Sequence, residues 1–203
     1  MKDANRNVKT IPPIIDECKS LKSLQLENNN IKHLPCSLLE MRGIGSASFK
    51  GNEVAKNLEI QGCMLQGKEF PSQFVCKYLY KDLEILKFPN QTSIERINKC
   101  IQKFTILKSM ILPHNTNLKS DGIPSEILKL YGDKLKTFDV TGNKKLFELF
   151  SWRNENINQD LHLNMTNFLL KCIRDARVLD LSGNNIVDNS LFDNLLYHMK
   201  KLE

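Results

Sequence analysis

Two distant stretches of this chain place the same kinds of residue at the same spacing. Leu21, Leu24, Leu26, Asn29 and Ile31 are echoed by Ala176, Leu179, Leu181, Asn184 and Ile186. The spacing constrains the fold tightly. Its second and third positions lie two residues apart, so they share one face of a short strand while the residues between them point away. The asparagine then bends the chain, and its amide can satisfy backbone groups that would otherwise be left unpaired where the chain leaves the sheet. One such unit buries little by itself, so its copies have to stack.

Further copies fill the interval. Leu83, Leu86, Phe88 and Gln91 form one, Leu107, Met110, Leu112 and Asn115 the next, and Leu135, Phe138, Val140 and Asn143 a third. Their separations, and that from Leu58 to Leu86, fall within the roughly 20 to 29 residues of a stacked turn. Between the first and second copies two frames compete. Ile44, Ala47, Phe49, Asn52 and Val54 fit the spacing, and so do Ala55, Leu58, Ile60, Cys63 and Leu65. Ala47 and Leu58 are too close to be successive strands of one sheet, so only one frame can enter it. Leu58 and Ile60 are preferred, because Leu is the better buried strand residue and the run from Gly43 to Ser48 reads as loop. The long gap from Phe138 to Leu179 calls for an insertion or an extra strand at Leu161 and Leu163. Before the first full copy, Val8, Ile11, Pro12, Ile14, Ile15 and Cys18 read as the second half of an earlier turn.

The connecting segments read as helix. Thr92 with Glu95 resembles a capping box, ahead of Ile94, Ile97, Ile101 and Phe104 on one helical face. Pro124 can open a helix that buries Ile127, Leu128 and Tyr131 and ends at Gly132. Leu169, Cys172, Ile173 and Ala176 keep helical spacing, as do Leu191, Leu195, Met199 and Leu202. Strand, bend, helix and return make a right-handed α/β coil, with parallel strands on the inner face and helices outside.

On the segments at Leu21–Ile31 and Val178–Ile186 the chain resembles the leucine-rich-repeat superfamily, over nearly its whole length. The repeat lengths, the helical outer segments and Cys63 in place of Asn resemble its intracellular members, such as ribonuclease-inhibitor-like proteins and cytosolic receptors or adaptors. The resemblance implies an α/β solenoid with a curved parallel sheet on the concave face, and partner binding on that face. Gln91 departs from the usual bend asparagine.

Length and composition fit one domain, residues 1–203, with no linker. The net charge of +6 with 26% charged residues is a modest excess and contains no basic tract. No apolar run reaches the roughly 18 residues of a membrane span, so no membrane partner and no leader is expected. This predicts a cytosolic or nuclear protein. Six scattered cysteines are then expected to be reduced, buried thiols. Asn90-Gln91-Thr92 and Asn164-Met165-Thr166 match the N-glycosylation sequon but, without an export signal, are expected to stay unmodified.

The residues offer no chemistry of catalysis. His33, His114, His162 and His198 stand apart, and neither a phosphate-binding Gly-rich loop nor a nucleophile elbow occurs. His33 with Cys36 lacks the second pair a zinc site needs. The expectation is a noncatalytic protein without cofactor or metal that binds a protein or peptide. Its contact residues are the outward strand positions and those just after them: Gln25, Glu27, Glu59, Ile85, Lys87, Pro89, Ser109, Ile111, Pro113, Asp139 and Asp180. Glu27, Glu59, Asp139 and Asp180 against Lys87 predict an acidic face, with Ile85, Ile111, Pro89 and Pro113 as an apolar centre. Nucleic-acid binding through dispersed Lys and Arg is the alternative, disfavoured because the aromatics that would stack on bases belong to the core. Lys200-Lys201-Leu202 echoes Lys19-Ser20-Leu21, which predicts further repeats or self-association at the C-terminal end.

Overall fold

Each turn of the chain contributes a strand of only two or three residues, so the backbone bonds between turns matter more than any within one. The computed structural model describes residues 7–60, 62, 64–119, 122–124, 136–146, 178–180 and 182–184. The strands are β1 (Ser23–Gln25), β2 (Ser46–Ser48), β3 (Asn57–Glu59), β4 (Glu69–Phe70), β5 (Ile85–Lys87), β6 (Arg96–Ile97), β7 (Ser109–Ile111), β8 (Thr137–Asp139) and β9 (Val178–Asp180). All pair in parallel: β1 with β2, β4 with β6, and β3-β5-β7-β8-β9 as a five-stranded sheet in sequence order. In β3, β5 and β7 the middle residue is buried and its neighbours are half-buried. That is the two-residue period acting on Leu58, Leu86 and Met110, which join Phe49, Phe70, Phe88 and Phe104 in the core.

A second regularity follows each principal strand. Three residues after the strand ends, the backbone enters the left-handed region: Asn28, Gly51, Gly62, Asn90, His114, Gly142 and Gly183 all have φ between 54° and 80°. Gly and Asn tolerate this conformation, and His is the less common occupant. These bends stack, as the N–H groups of Asn28, Asn90, His114 and Gly142 donate to the carbonyls of Lys50, Pro113, Thr141 and Ser182 in the next turn.

The next residue sends its side-chain amide inward. Asn115 donates to Phe88 O at 3.0 Å and Leu112 O at 2.7 Å, and accepts from Gln91 N at 2.8 Å. Asn52 does the same with Leu26 O, Phe49 O and Ile31 N. Asn143 bridges Leu112 O and Val140 O. Each amide thus ties its own turn to the one before. Gln91, although a methylene longer, plays this part by accepting from Leu65 N at 2.9 Å and donating to Pro89 O at 3.0 Å.

The expected single sheet is interrupted, and both competing frames are used. Leu24 pairs with Ala47 in one ladder, while Leu58 pairs with Leu86 in another. Between β2 and β3 the chain makes only a bend and the four-residue helix α2 (Glu53–Lys56), which runs straight into Asn57. A connection this short cannot complete a turn and return alongside β2, so the ladder restarts.

Among the described residues the outer segments are also less helical than expected. The described ones include the short helices α1 (Cys36–Glu40) and α3 (Gln73–Tyr78), the 3-10 segments Pro13–Glu17, Lys99–Lys103 and Lys144–Leu146, and the small β4–β6 sheet. No helix opens at Thr92. The N–H groups of Glu95 and Arg96 donate to Lys68 O and that of Asn98 to Phe70 O, so bonds to the neighbouring turn replace the bonds four residues back that a helix needs. The burial expected of Ile94, Ile97, Ile101 and Phe104 nevertheless holds.

The expectation of reduced thiols is corrected as well. Cys76 and Cys100 form a disulfide, with Cα atoms 5.8 Å apart and a sequence separation of 24. Ile85 and Ser109, paired in the same stack, have the same separation, so stacking brings the two cysteines together. Cys36 is also disulfide-bonded, whereas Cys18 is free and exposed. The helices expected from Pro124, around Leu169 and at the C-terminus, the strand at Leu161 and Leu163, and the C-terminal end all lie outside the described residues.

Candidate recognition face

The register of the five-stranded sheet sets the residues on either side of each central position in two rows. One runs Asn57, Ile85, Ser109, Thr137 and Val178; the other runs Glu59, Lys87, Ile111, Asp139 and Asp180. Ile85 and Ile111 therefore sit diagonally on adjacent strands, each half-buried, with half-buried Pro89 and Pro113 just beyond the strand ends. Lys87 and Ser109 fill the other diagonal. The apolar centre is a pair of side chains crossed by polar ones, not a continuous patch.

The charges are already partly committed. Lys87 lies 3.8 Å from the Glu59 carboxylate in the neighbouring strand. Asp139 accepts from the N–H of Thr141 at 2.9 Å and so caps its own strand. At the edge of the sheet Lys108 donates to Glu84, and this hydrogen bond, followed by the ammonium charge, holds the Glu84 carboxyl below its ordinary value. Asp180 pairs with Asp139 through the backbone. Glu27 and Gln25 belong to the other ladder, so the structure does not bring the four predicted carboxylates into one row.

Gln25 is held among serine side chains. Its amide donates to Ser23 Oγ at 3.0 Å and Ser46 Oγ at 3.4 Å, and Ser46 donates to Ser23 at 2.9 Å. Ser46 and Ser48 flank Ala47, whose match to the repeat spacing, including Asn52, was the available signal. His114, which stands apart in the sequence, is exposed at the bend after β7. Its signal is the position three residues past each strand.

The helical side carries a cavity of about 530 Å³ whose lining includes Leu39, Glu40, Arg42, Lys68, Glu69 and Phe70. Its carboxylates are engaged, Glu40 by the N–H groups of Gln66 and Gly67, and Glu69 by Asn98. The large apolar side chains most exposed among the described residues, Ile14, Met64 and Ile106, lie outside the strands of the five-stranded sheet.

No family model and no curated protein matches the chain. Among solved structures it is similar to a leucine-rich-repeat protein of Leptospira interrogans, at 19% identity and a TM-score of 0.40. The match covers 96% of this chain and 51% of that protein, so the chain spans about half its length.

Proposed function

We propose that this chain is a noncatalytic recognition module of the leucine-rich-repeat type, which holds a protein or peptide against the outward face of the five-stranded sheet. The observation that supports this reading is the diagonal placement of half-buried Ile85 and Ile111 on adjacent strands whose middle residues are locked in the core. A rigid strand ladder presents side chains at low conformational cost, and a buried aliphatic anchor is the usual centre of a contact site. The ligand suited to it has one or two apolar anchors and a basic flank reaching Asp139 and the rim at Glu59. Glu27 and Gln25, on the separate ladder, would at most extend this site.

The test is capture of partners from the cells that make the protein, followed by affinity measurement for Ile111→Asp and Ile85→Asp. Ile111→Asp should weaken binding by more than about 1 kcal/mol, because a desolvated aliphatic contributes on that scale. Its melting temperature should stay near that of the parent. Unchanged affinity in a folded variant would rule out this face, and collapse of the fold would place Ile111 in the core. Salt tests the nucleic-acid alternative: loss of about a thousandfold or more in affinity between 50 and 200 mM salt would favour phosphate contacts over this reading.

A further inference from the structure

We propose that this chain matures in an oxidising, glycosylating compartment and that Asn90 carries an N-linked glycan there. The proposal is independent of the recognition reading and runs against the cytosolic setting expected from sequence. Its first support is the cysteine pairing. Of the described cysteines, Cys76, Cys100 and Cys36 are in disulfides and only Cys18 is free. Cys76 lies on the buried face of α3, and the bond links that helix to the 3-10 segment one turn later. Bonds that tie successive turns through the core are structural, and structural disulfides persist where glutathione does not keep thiols reduced.

The second support is the geometry of the sequon. Asn90 and Thr92 are exposed while Gln91 between them is buried in the amide ladder, so the acceptor and its hydroxyl partner both leave the core. The left-handed bend turns Asn90 outward at a φ of 58°, and its backbone N–H is held by Pro113 O at 2.9 Å. Neighbouring asparagines differ. The side-chain amides of Asn52, Asn115 and Asn143 donate to carbonyls inside the stack, whereas no described hydrogen bond uses that of Asn90. A sugar there would stand in solvent at the end of β5 and displace no ladder bond.

Both steps use reagents of that compartment. Two thiols lose two protons and two electrons to a disulfide-carrying oxidoreductase, which is reduced to its dithiol as the Cys76–Cys100 bond forms. At Asn90 the amide nitrogen loses a proton and bonds to C1 of an oligosaccharide as the sugar's bond to a lipid diphosphate breaks and the diphosphate departs.

The experiment uses the full chain isolated from the cells that make it, with free thiols alkylated at lysis and digestion done without reductant. Mass spectrometry should find the Cys76 and Cys100 peptides cross-linked and the Asn90 peptide glycosylated, reading as aspartate at that position once the sugar is enzymatically released. Thr92→Ala, expressed in the same cells, should lose the sugar at Asn90, and Thr92→Ser should keep it. An unmodified Asn90 peptide, or alkylated Cys76 and Cys100, would overturn the proposal.

Discussion

Asn115 makes three hydrogen bonds from a fully buried position, and this explains why the repeat spacing holds an amide there. Its two N–H groups reach carbonyls of two successive turns and its oxygen takes the Gln91 N–H, so no aliphatic of similar size can replace it. A typical hydrogen bond contributes a net 0.5 to 1.5 kcal/mol, but a buried group left unpaired costs about 1 to 3 kcal/mol. Asn115→Ala should therefore lower stability by at least about 2 kcal/mol, read as a fall in denaturant midpoint at unchanged slope. A loss below about 0.5 kcal/mol would mean that water can replace the amide. Gly142 is constrained by backbone conformation and by space. Its φ is +70°, and an added Cβ would lie 2.2 Å from Nδ1 of His114 in the turn below. Gly142→Ala should cost about 1 to 2 kcal/mol from the left-handed backbone alone, with more from the overlap. In a His114→Ala background the overlap portion should vanish and the backbone portion remain, and melting of the four proteins separates the two.

The segment containing β6 shows how an element is chosen by its neighbours. Its apolar residues keep helical spacing and are buried, yet its N–H groups pair with the turn that contains β4. Glu95 reinforces the choice, with one carboxylate oxygen 2.7 Å from Lys119 and the other 2.9 Å from Lys68. The hydrogen bond from Lys119, then that from Lys68, lowers its carboxyl from the ordinary 4.5 to about 2. Because the folded value is the depressed one, this contribution to stability is full above pH 4.5 and is lost as pH falls toward 2. Glu95→Gln should be less stable than the parent at neutral pH and should flatten that part of the pH profile. Equal profiles in chemical denaturation would mean that solvent screens the network completely.

At the scale of the whole molecule, stacking turns a local spacing into long-range links. The Cys76–Cys100 bond closes a loop one turn long, for which chain-entropy estimates give about 2 to 4 kcal/mol. The double variant Cys76→Ser/Cys100→Ser should melt lower than the parent by an amount of that order and respond less to reductant. It should still show some response, since Cys36 is bonded too. A variant as stable as the oxidised parent would mean that packing of Phe74, Val75 and Ile101 alone holds these turns together.

The sequence determined where the strands of the five-stranded sheet lie and much of what enters the core. The central positions Leu58, Leu86 and Met110 and the amides at 115 and 143 were legible because side-chain alternation and the bend are local properties of a few residues. The bends were legible to within a residue, since the sequence puts them at the ladder amide and the left-handed residue is the one before it. Only the tertiary structure decided that both Ala47 and Leu58 centre strands, because sheet membership depends on where the returning chain lands and not on the spacing of one copy. It also decided that the face divides between two ladders, that Glu59 spends its charge on Lys87, and that Cys76 meets Cys100. Each is a contact between turns some two dozen residues apart, and such contacts exist only once the turns have stacked.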